Sequence, residues 1–336
     1  MDGPLWTERH APTIEELPQP EVRDQLRGAL DDPMNLLVHG PAGAGKTAAV
    51  RAFAREAHAD VEADLVVINV ADFFDLTKKE LAEDPRFARF ITAKRRRESS
   101  KADLINHVLK EAASYTPVSG SYKTILLDNA ERMREDFQQA LRRVMEQYYE
   151  ATQFVIATRQ SSTLIPPIRS RCFPVTVRAP THDETEAVLR RIVEAEDADY
   201  DAEGLEYVAG YAGGDLRKAI LGAQTTYEQA GEITMNAAYE ALGEVRTDEA
   251  VEAMLSAAEA GDVTDARSTV DDLLVDEGHS GVEVLEALLR VGRSRYSGDR
   301  LARLHRVAGE IDLDLAEGTD DRLHLSHLLA ELAAEA

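Results

Sequence analysis

The chain has 336 residues, enough for two or three domains, and 44% of them are hydrophobic, enough to fill more than one core. Its net charge is −24, from 62 acidic against 38 basic residues, which argues against a nucleic-acid partner unless molar salt screens charge to within about 3 Å. A single cysteine, Cys172, excludes a disulfide framework, and neither a membrane-length apolar run nor a signal-peptide pattern is present, so a cytoplasmic chain without a membrane partner is expected.

From about residue 20 to 178, short stretches rich in Val and Ile alternate with amphipathic helical ones. Asn35–His39, Leu65–Val70, Thr124–Asp128, Thr152–Ala157 and Cys172–Val177 read as strands. That alternation is the pattern of a parallel sheet with helices on both faces. After Pro180 no further strand is predicted. Four helical stretches are expected within 182–243 and about five beyond, separated by Gly261-Asp262, Asp276-Glu-Gly278, Ser297-Gly-Asp299 and Glu317-Gly-Thr319. The expected organisation is an α/β nucleotide-binding domain over 1–178, a small helical domain over 179–245 and an all-helical domain over 246–336.

The first strand runs into Gly40-Pro41-Ala42-Gly43-Ala44-Gly45-Lys46-Thr47, which fits the phosphate-binding pattern at every fixed position. The glycines let successive backbone N–H groups turn toward a phosphate chain, and the Ala-rich segment after Thr47 reads as a helix whose N-terminus faces the anion. Lys46 is expected on the β- and γ-phosphates and the Thr47 hydroxyl on Mg²⁺. The third strand, Lys123-Thr-Ile-Leu-Leu-Asp128, ends in a carboxylate that can hold the same Mg²⁺ through its water shell. The next residue in many such ATPases is a glutamate that polarises the attacking water. Here it is Asn129, which cannot take a proton, and Glu131 is expected to point elsewhere. ATP binding is therefore expected, and hydrolysis at this chain's own site is not.

Four further stretches together resemble the small subunits of archaeal and eukaryotic replication factor C, the clamp loader, within the AAA+ ATPases. PLWTERHAP is similar to the family's opening box beside the adenine, departing from it at His10 and Ala11. DFQQALRRVMEQYYEATQFVIAT, residues 136–158, resembles the family's helix and strand after the Mg²⁺-binding aspartate, with Phe137, Leu141, Val144, Met145 and Tyr148 on one helical face. Ser170-Arg171-Cys172 and Gly214-Asp-Leu-Arg217-Lys-Ala resemble two more family boxes. The likeness covers residues 4 to about 230; the C-terminal helices match the family's collar by length and helical content. The acidic, lysine-poor composition, with only eight lysines, resembles that of proteins from salt-loving archaea.

The resemblance implies an AAA+ α/β domain, a helical lid and a helical collar. It implies a hetero-oligomeric arc of five subunits with ATP at the subunit interfaces, acting with a sliding clamp and primer–template DNA. Arg171 is then implied to be an arginine finger serving the neighbouring subunit, and Arg217 a sensor on the γ-phosphate of the chain's own nucleotide. The family's asparagine after the fourth strand falls here on Arg159, preceded by Thr158, a possible substitute as a hydrogen-bonding group. Asn129 and Arg159 thus depart from the hydrolytic machinery while the phosphate cradle and the finger remain. The expected protein is a divergent small subunit that binds ATP, hydrolyses it poorly or not at all, and activates its neighbour. A non-hydrolysing ATP-binding scaffold outside clamp loading is the alternative, which the Arg171 box argues against. An initiator or branch-migration motor would be expected to end in a winged helix with strands.

Residues 73–106 form an insertion, and its stretch Arg86–Lys101 is a basic island in an acidic chain. Lys94, Arg95, Arg96, Arg97 and Lys101 are candidate DNA contacts of the position-fixing kind, which do not read sequence. The other reading is a solvated face that pairs with acids on a neighbouring subunit.

Overall fold

The computed structural model describes residues 5–333 apart from 85, 86, 88, 89, 93, 94, 96, 98, 119, 243, 277, 278, 318 and 319. The chain divides into two compact units, Met1–Ala238 and Tyr239–Ala336.

The first unit is built on five parallel strands: β1 (Leu36–His39), β2 (Leu65–Asn69), β3 (Lys123–Asp128), β4 (Thr152–Thr158) and β5 (Phe173–Thr176). Their order across the sheet is β2-β3-β4-β1-β5. All five fall where the apolar runs predict them, within one or two residues at each end. Successive side chains leave a strand on opposite faces, and both faces here are apolar. Ile125, Leu127, Phe154 and Ile156 face one core, which they share with the helices Lys101–Ser114 and Glu135–Gln147. Leu36, Val38, Leu126, Val155 and Ala157 face the other, packed on the helices Pro20–Asp31 and Lys46–Ala57. The expectation of helices on both faces is met. Burying two faces of one sheet removes far more apolar surface from water than either helix layer could alone.

The register carries the functional ends to one edge. β1 pairs with β4 so that His39 lies level with Thr158, and β3 pairs with β4 with Leu127 level with Ile156. Hence β1, β3 and β4 finish side by side, and the loops after them converge. Ligand sites of open α/β sheets lie at such carboxyl ends.

Beyond β5 the helices His182–Ala195, Ala202–Ala212, Leu216–Ala230 and Met235–Leu242 follow, the four stretches expected. Thr181 caps the first of these through a reciprocal capping box with Glu184, and Asp215 caps the third through the Lys218 N–H at 2.9 Å. The expectation that no strand follows Pro180 needs correction. Asp199–Tyr200 and Glu232–Ile233 pair in parallel as a two-stranded ribbon. Each is two residues long, too short to leave a periodic signature, and the pairing joins segments more than thirty residues apart.

The second unit consists of the helices Glu244–Glu259, Val263–Asp271, Gly281–Arg295, Gly298–Glu317 and Asp321–Ala333, with one π-helical turn at Asp272–Asp276. Met254, Leu255, Leu288, Ile311 and Leu328 are among the residues of its separate core. Among the described residues, no helix is long and apolar enough to cross a membrane.

Candidate nucleotide-binding site

The loop between β1 and the helix Lys46–Ala57 rims a cavity of about 320 Å³ in the first unit. Two glycines are required by close approach. A Cβ on Gly40 would meet the Val177 carbonyl oxygen at 1.8 Å. On Gly43, whose φ is +66°, it would meet the Asp215 carboxylate at 1.9 Å. Asp215 opens the helix Leu216–Ala230, and the Leu216 N–H donates to the Gly43 carbonyl at 3.0 Å. The helical segment after β5 is thereby bonded directly to the loop, which brings Arg217 to the cavity wall beside Lys46.

Lys46 donates to the carbonyls of Gly40 and Pro41 at 2.9 and 2.6 Å, so its ammonium is already turned into the concavity of the loop. Burial pulls its pKa down, opposed by the charges of Glu131, Asp128 and Asp215 and reinforced by Arg159. A polyanion in the cavity would add to the counter-charge of these carboxylates and favour the charged ammonium further. The Thr47 hydroxyl donates to Asp128 Oδ2 at 2.8 Å. Two hard oxygen donors side by side, one at the end of β3 and one in the first turn of the helix Lys46–Ala57, suit Mg²⁺, which keeps most of its waters and takes few protein ligands. The residues expected to hold ATP and Mg²⁺ therefore come together: Gly40 to Thr47, Asp128 and Arg217. Thr7, His10 and Pro12, from the opening box, line the same cavity. The Trp6 ring is buried, with its backbone N–H on Gln224 Oε1 at 2.9 Å.

Asn129 sits at φ 54°, the left-handed region that asparagine tolerates better than most residues. It donates to Asn69 Oδ1 at 3.1 Å. Glu131 is not among the residues that line the cavity. Its carboxylate turns back to the end of β4, accepting from the Thr158 hydroxyl and the Arg159 N–H, both at 3.1 Å, with the Arg159 guanidinium 3.3 Å away. Burial pushes the Glu131 carboxyl up. The hydrogen bonds from its own backbone, Arg159 and Thr158, with the Arg159 charge, outweigh burial and hold it below the usual range. The short 3₁₀ turn Ala130–Arg132 redirects this residue, a local geometry that residue spacing alone does not show. Thr158 is buried, and its hydroxyl is engaged with Glu131.

Arg171 does not line the cavity. It follows the helix Pro166–Arg169, is exposed, and rests on Glu146 at 2.7 Å and the Pro167 carbonyl at 2.6 Å.

Of the basic island, Lys94 and Arg96 lie outside the described residues. Arg95 and Arg97 are exposed. Lys101 instead turns back to the Phe74 carbonyl, and Phe87 is buried in the core.

Three supports were not foreseen. Gln19, buried just before the helix Pro20–Asp31, donates to the carbonyls of Ala44 and Arg178 at 3.1 and 2.8 Å, tying the loop to the chain after β5. Arg178 grips Glu184 with two bonds, at 2.6 and 2.7 Å, and Glu21 at 2.8 Å. Asp215 is the third. Its place inside the Gly214–Arg217 box was the available signal; an isolated Gln offers none.

Relatives of the chain are concentrated in one family. It is 31% identical to the replication factor C small subunit of Halobacterium salinarum, over 99% of this chain and 97% of that protein. It is 30% identical to that of Archaeoglobus fulgidus, over 98% and 97%, and 32% identical to that of Aeropyrum pernix, over 98% and 95%. The family model for the replication factor C C-terminal domain matches residues 247–331, and the model for the DNA polymerase III delta subunit matches residues 27–181. Among solved structures, the Holliday junction branch migration motor RuvB of Thermotoga maritima matches with a TM-score of 0.50 at 17% identity, over 70% of this chain and 76% of that one. This last likeness concerns the fold alone.

Proposed function

We propose a role from one premise: the chain belongs to the replication factor C small-subunit family, so it works as a small subunit of a clamp loader. In that role it binds ATP with Mg²⁺ in the cavity at the end of β1. It assembles with other replication factor C subunits and helps load a sliding clamp onto primer–template DNA.

The observation that carries the finer reading is the separation of two arginines. Arg217 lines the chain's own cavity with Lys46, whereas Arg171 stands exposed outside it. An exposed, permanently charged fork resting on a carboxylate can be released to a γ-phosphate presented by a neighbour, where it meets charge as it develops. Gly40 to Thr47 supply backbone donors, Lys46 holds the outer phosphates, and Asp128 and Thr47 hold the metal's waters. Bound Mg²⁺ would supply charge neutralisation between the outer phosphates. At the water-attack position Asn129 can orient but not deprotonate, and Glu131 is committed to Thr158 and Arg159. Own-site turnover is accordingly weak or absent, and the neighbour's turnover depends on Arg171.

The test is ATP hydrolysis by the complex reconstituted with its partner subunits, clamp and primed DNA at high salt. Arg171→Ala is expected to lower the rate by about 10³-fold at the site it serves, the scale of an arginine finger, while Lys46→Ala changes the rate little. If Lys46→Ala is as damaging, the quiet-site reading fails. If neither variant matters, the chain is a scaffold.

A further inference from the structure

We propose that Lys123 is a buried cation which the first unit carries at a cost, so that this unit gains stability as mildly alkaline pH neutralises it. The proposal does not depend on the nucleotide cavity, which lies at the other end of the strand.

Lys123 opens β3 and Asp128 closes it. The strand is interior to the sheet, between β2 and β4, and the Lys123 N–H donates to the Ala151 carbonyl at 3.1 Å. A lysine at a strand end ordinarily runs its stem along apolar surface and keeps its head in water. This one is fully buried. Its ammonium donates to the Tyr115 carbonyl, at the C-cap of the helix Lys101–Ser114, and sits 3.5 Å from the centroid of the Tyr115 ring. Both partners are neutral. A helix C-terminus and an aromatic face attract a cation, but neither replaces a hydration shell.

The partners are held in place from several elements. The Tyr115 hydroxyl donates to the Ala63 carbonyl at 3.0 Å, which fixes the ring. Asp64, also fully buried, accepts from the Val118 N–H at 2.7 Å and supplies the charge that favours the ammonium. His58, from the end of the helix Lys46–Ala57, feels the same carboxylate. Its ring meets Tyr122 edge-on at 5.2 Å and its Nε2 lies 2.8 Å from the Thr124 hydroxyl. Burial holds the His58 imidazole below its ordinary 6.5 and the Tyr122 hydroxyl above its ordinary 10. Among these three side chains, only Lys123 changes charge between about pH 8 and 10.

Burial, opposed by Asp64, pulls Lys123 down from 10.5 to about 8. Below pH 8 the folded and unfolded chains both hold the proton, and the folded one bears the desolvation cost. Between 8 and 10.5 the folded chain has released it while the unfolded chain keeps it, so stability rises with pH across that window. The neutral amine still has N–H groups for the Tyr115 carbonyl; the fold sheds the charge and keeps the bond.

The experiment is urea unfolding of the full-length chain at pH 7.5 and 9.5 in molar salt. It is followed by the fluorescence of Trp6, the only tryptophan, buried in the first unit. Lys46, lowered by burial, adds stability in the same range, and Cys172, pushed up to about 12, removes it. The quantity read is therefore the difference between the unmodified chain and Lys123→Met, from which those groups cancel. The folding constant of the unmodified chain is expected to gain on that of the variant by roughly 10- to 20-fold between the two pH values. A difference that is the same at both overturns the proposal. Should Lys123→Met not fold, ¹³C-lysine labelling of the unmodified chain reads the group directly. One of the eight lysine Cε signals is expected to titrate about two units below the rest, and to persist in Lys46→Ala. If all lysines other than Lys46 titrate together near 10.5, the proposal is likewise overturned.

Discussion

The cavity has two flanks that have been treated very differently. On the loop flank, Gly40 to Thr47 and Asp128 retain every residue type that the phosphate-binding pattern requires, and the structure packs Gln19, Asp215 and Val177 closely around them. On the strand flank, Asn129 and Arg159 stand where the family resemblance leads one to expect a glutamate and an asparagine, and Glu131 ties the end of β4 together. Holding a phosphate chain depends mostly on backbone N–H groups, whose aim depends on glycines and on what packs against them. Activating a water depends on one or two side chains, which can change without disturbing the fold. A site of this design can lose chemistry and keep its ligand.

The largest effect that could break this contrast comes from rebuilding the strand flank. Asn129→Glu together with Arg159→Asn is expected to raise the Lys46-dependent share of the complex's ATP turnover on the order of 100-fold, the lower range for a positioned general base. Turnover that stays flat would mean that the backbone, not the side chains, silences the site. The φ of 54° at residue 129 strains a glutamate more than an asparagine.

A smaller effect sharpens the loop flank. Gln19→Ala leaves the Ala44 and Arg178 carbonyls without their amide donor. It is expected to cost about 1–3 kcal/mol of stability, the penalty for unpaired buried groups, and to weaken nucleotide binding several-fold. Denaturant unfolding and nucleotide titration read these two losses separately. Unchanged nucleotide affinity would show that the loop holds its shape without this tether.

The smallest effect tests both flanks at once through pH. The Arg178 hydrogen bonds, opposed by burial and aided by Thr181, hold the Glu184 carboxyl below its ordinary 4.5. Glu131 is held below the same value despite burial. A carboxyl lowered in the folded state contributes stability that is fully present above the unfolded value and is lost as pH falls through the folded one. Unfolding below pH 4.5 should therefore be less steep in Glu184→Gln and in Glu131→Gln, by about 0.5 kcal/mol each after solvent screening. If only Glu184→Gln flattens the curve, Glu131 is not held as the strand flank requires.

Much of this was legible in the sequence because the signals are local. Strand positions followed from short Val- and Ile-rich runs, the phosphate loop from glycine spacing, and Asp128 from its place at the end of an apolar strand. The same runs predict a sheet apolar on both faces, because alternate residues of Leu36–Val38 and Ile125–Leu127 are all hydrophobic. Beyond that range the sequence was silent or misleading. The ribbon between Asp199–Tyr200 and Glu232–Ile233 is too short for periodicity. Nothing in the local pattern shows that Lys101, a candidate DNA contact, reaches the Phe74 carbonyl. The 3₁₀ turn that carries Glu131 to Thr158 and Arg159 leaves no trace in residue spacing.

What the sequence alone determined is the set of side chains on offer: a glycine-rich loop with Lys46 and Thr47, a carboxylate at the end of an apolar strand, and an asparagine at position 129. Only the tertiary structure decided who meets whom. The register of β1 against β4 sets Arg159 beside the phosphate loop, the Gly43–Leu216 bond brings Arg217 to the same cavity, and the turn after Arg169 leaves Arg171 outside it. The physical reason is range. Turn and strand preferences act within a few residues, whereas these placements depend on hydrogen bonds and packing between segments far apart in the chain, which no local pattern encodes.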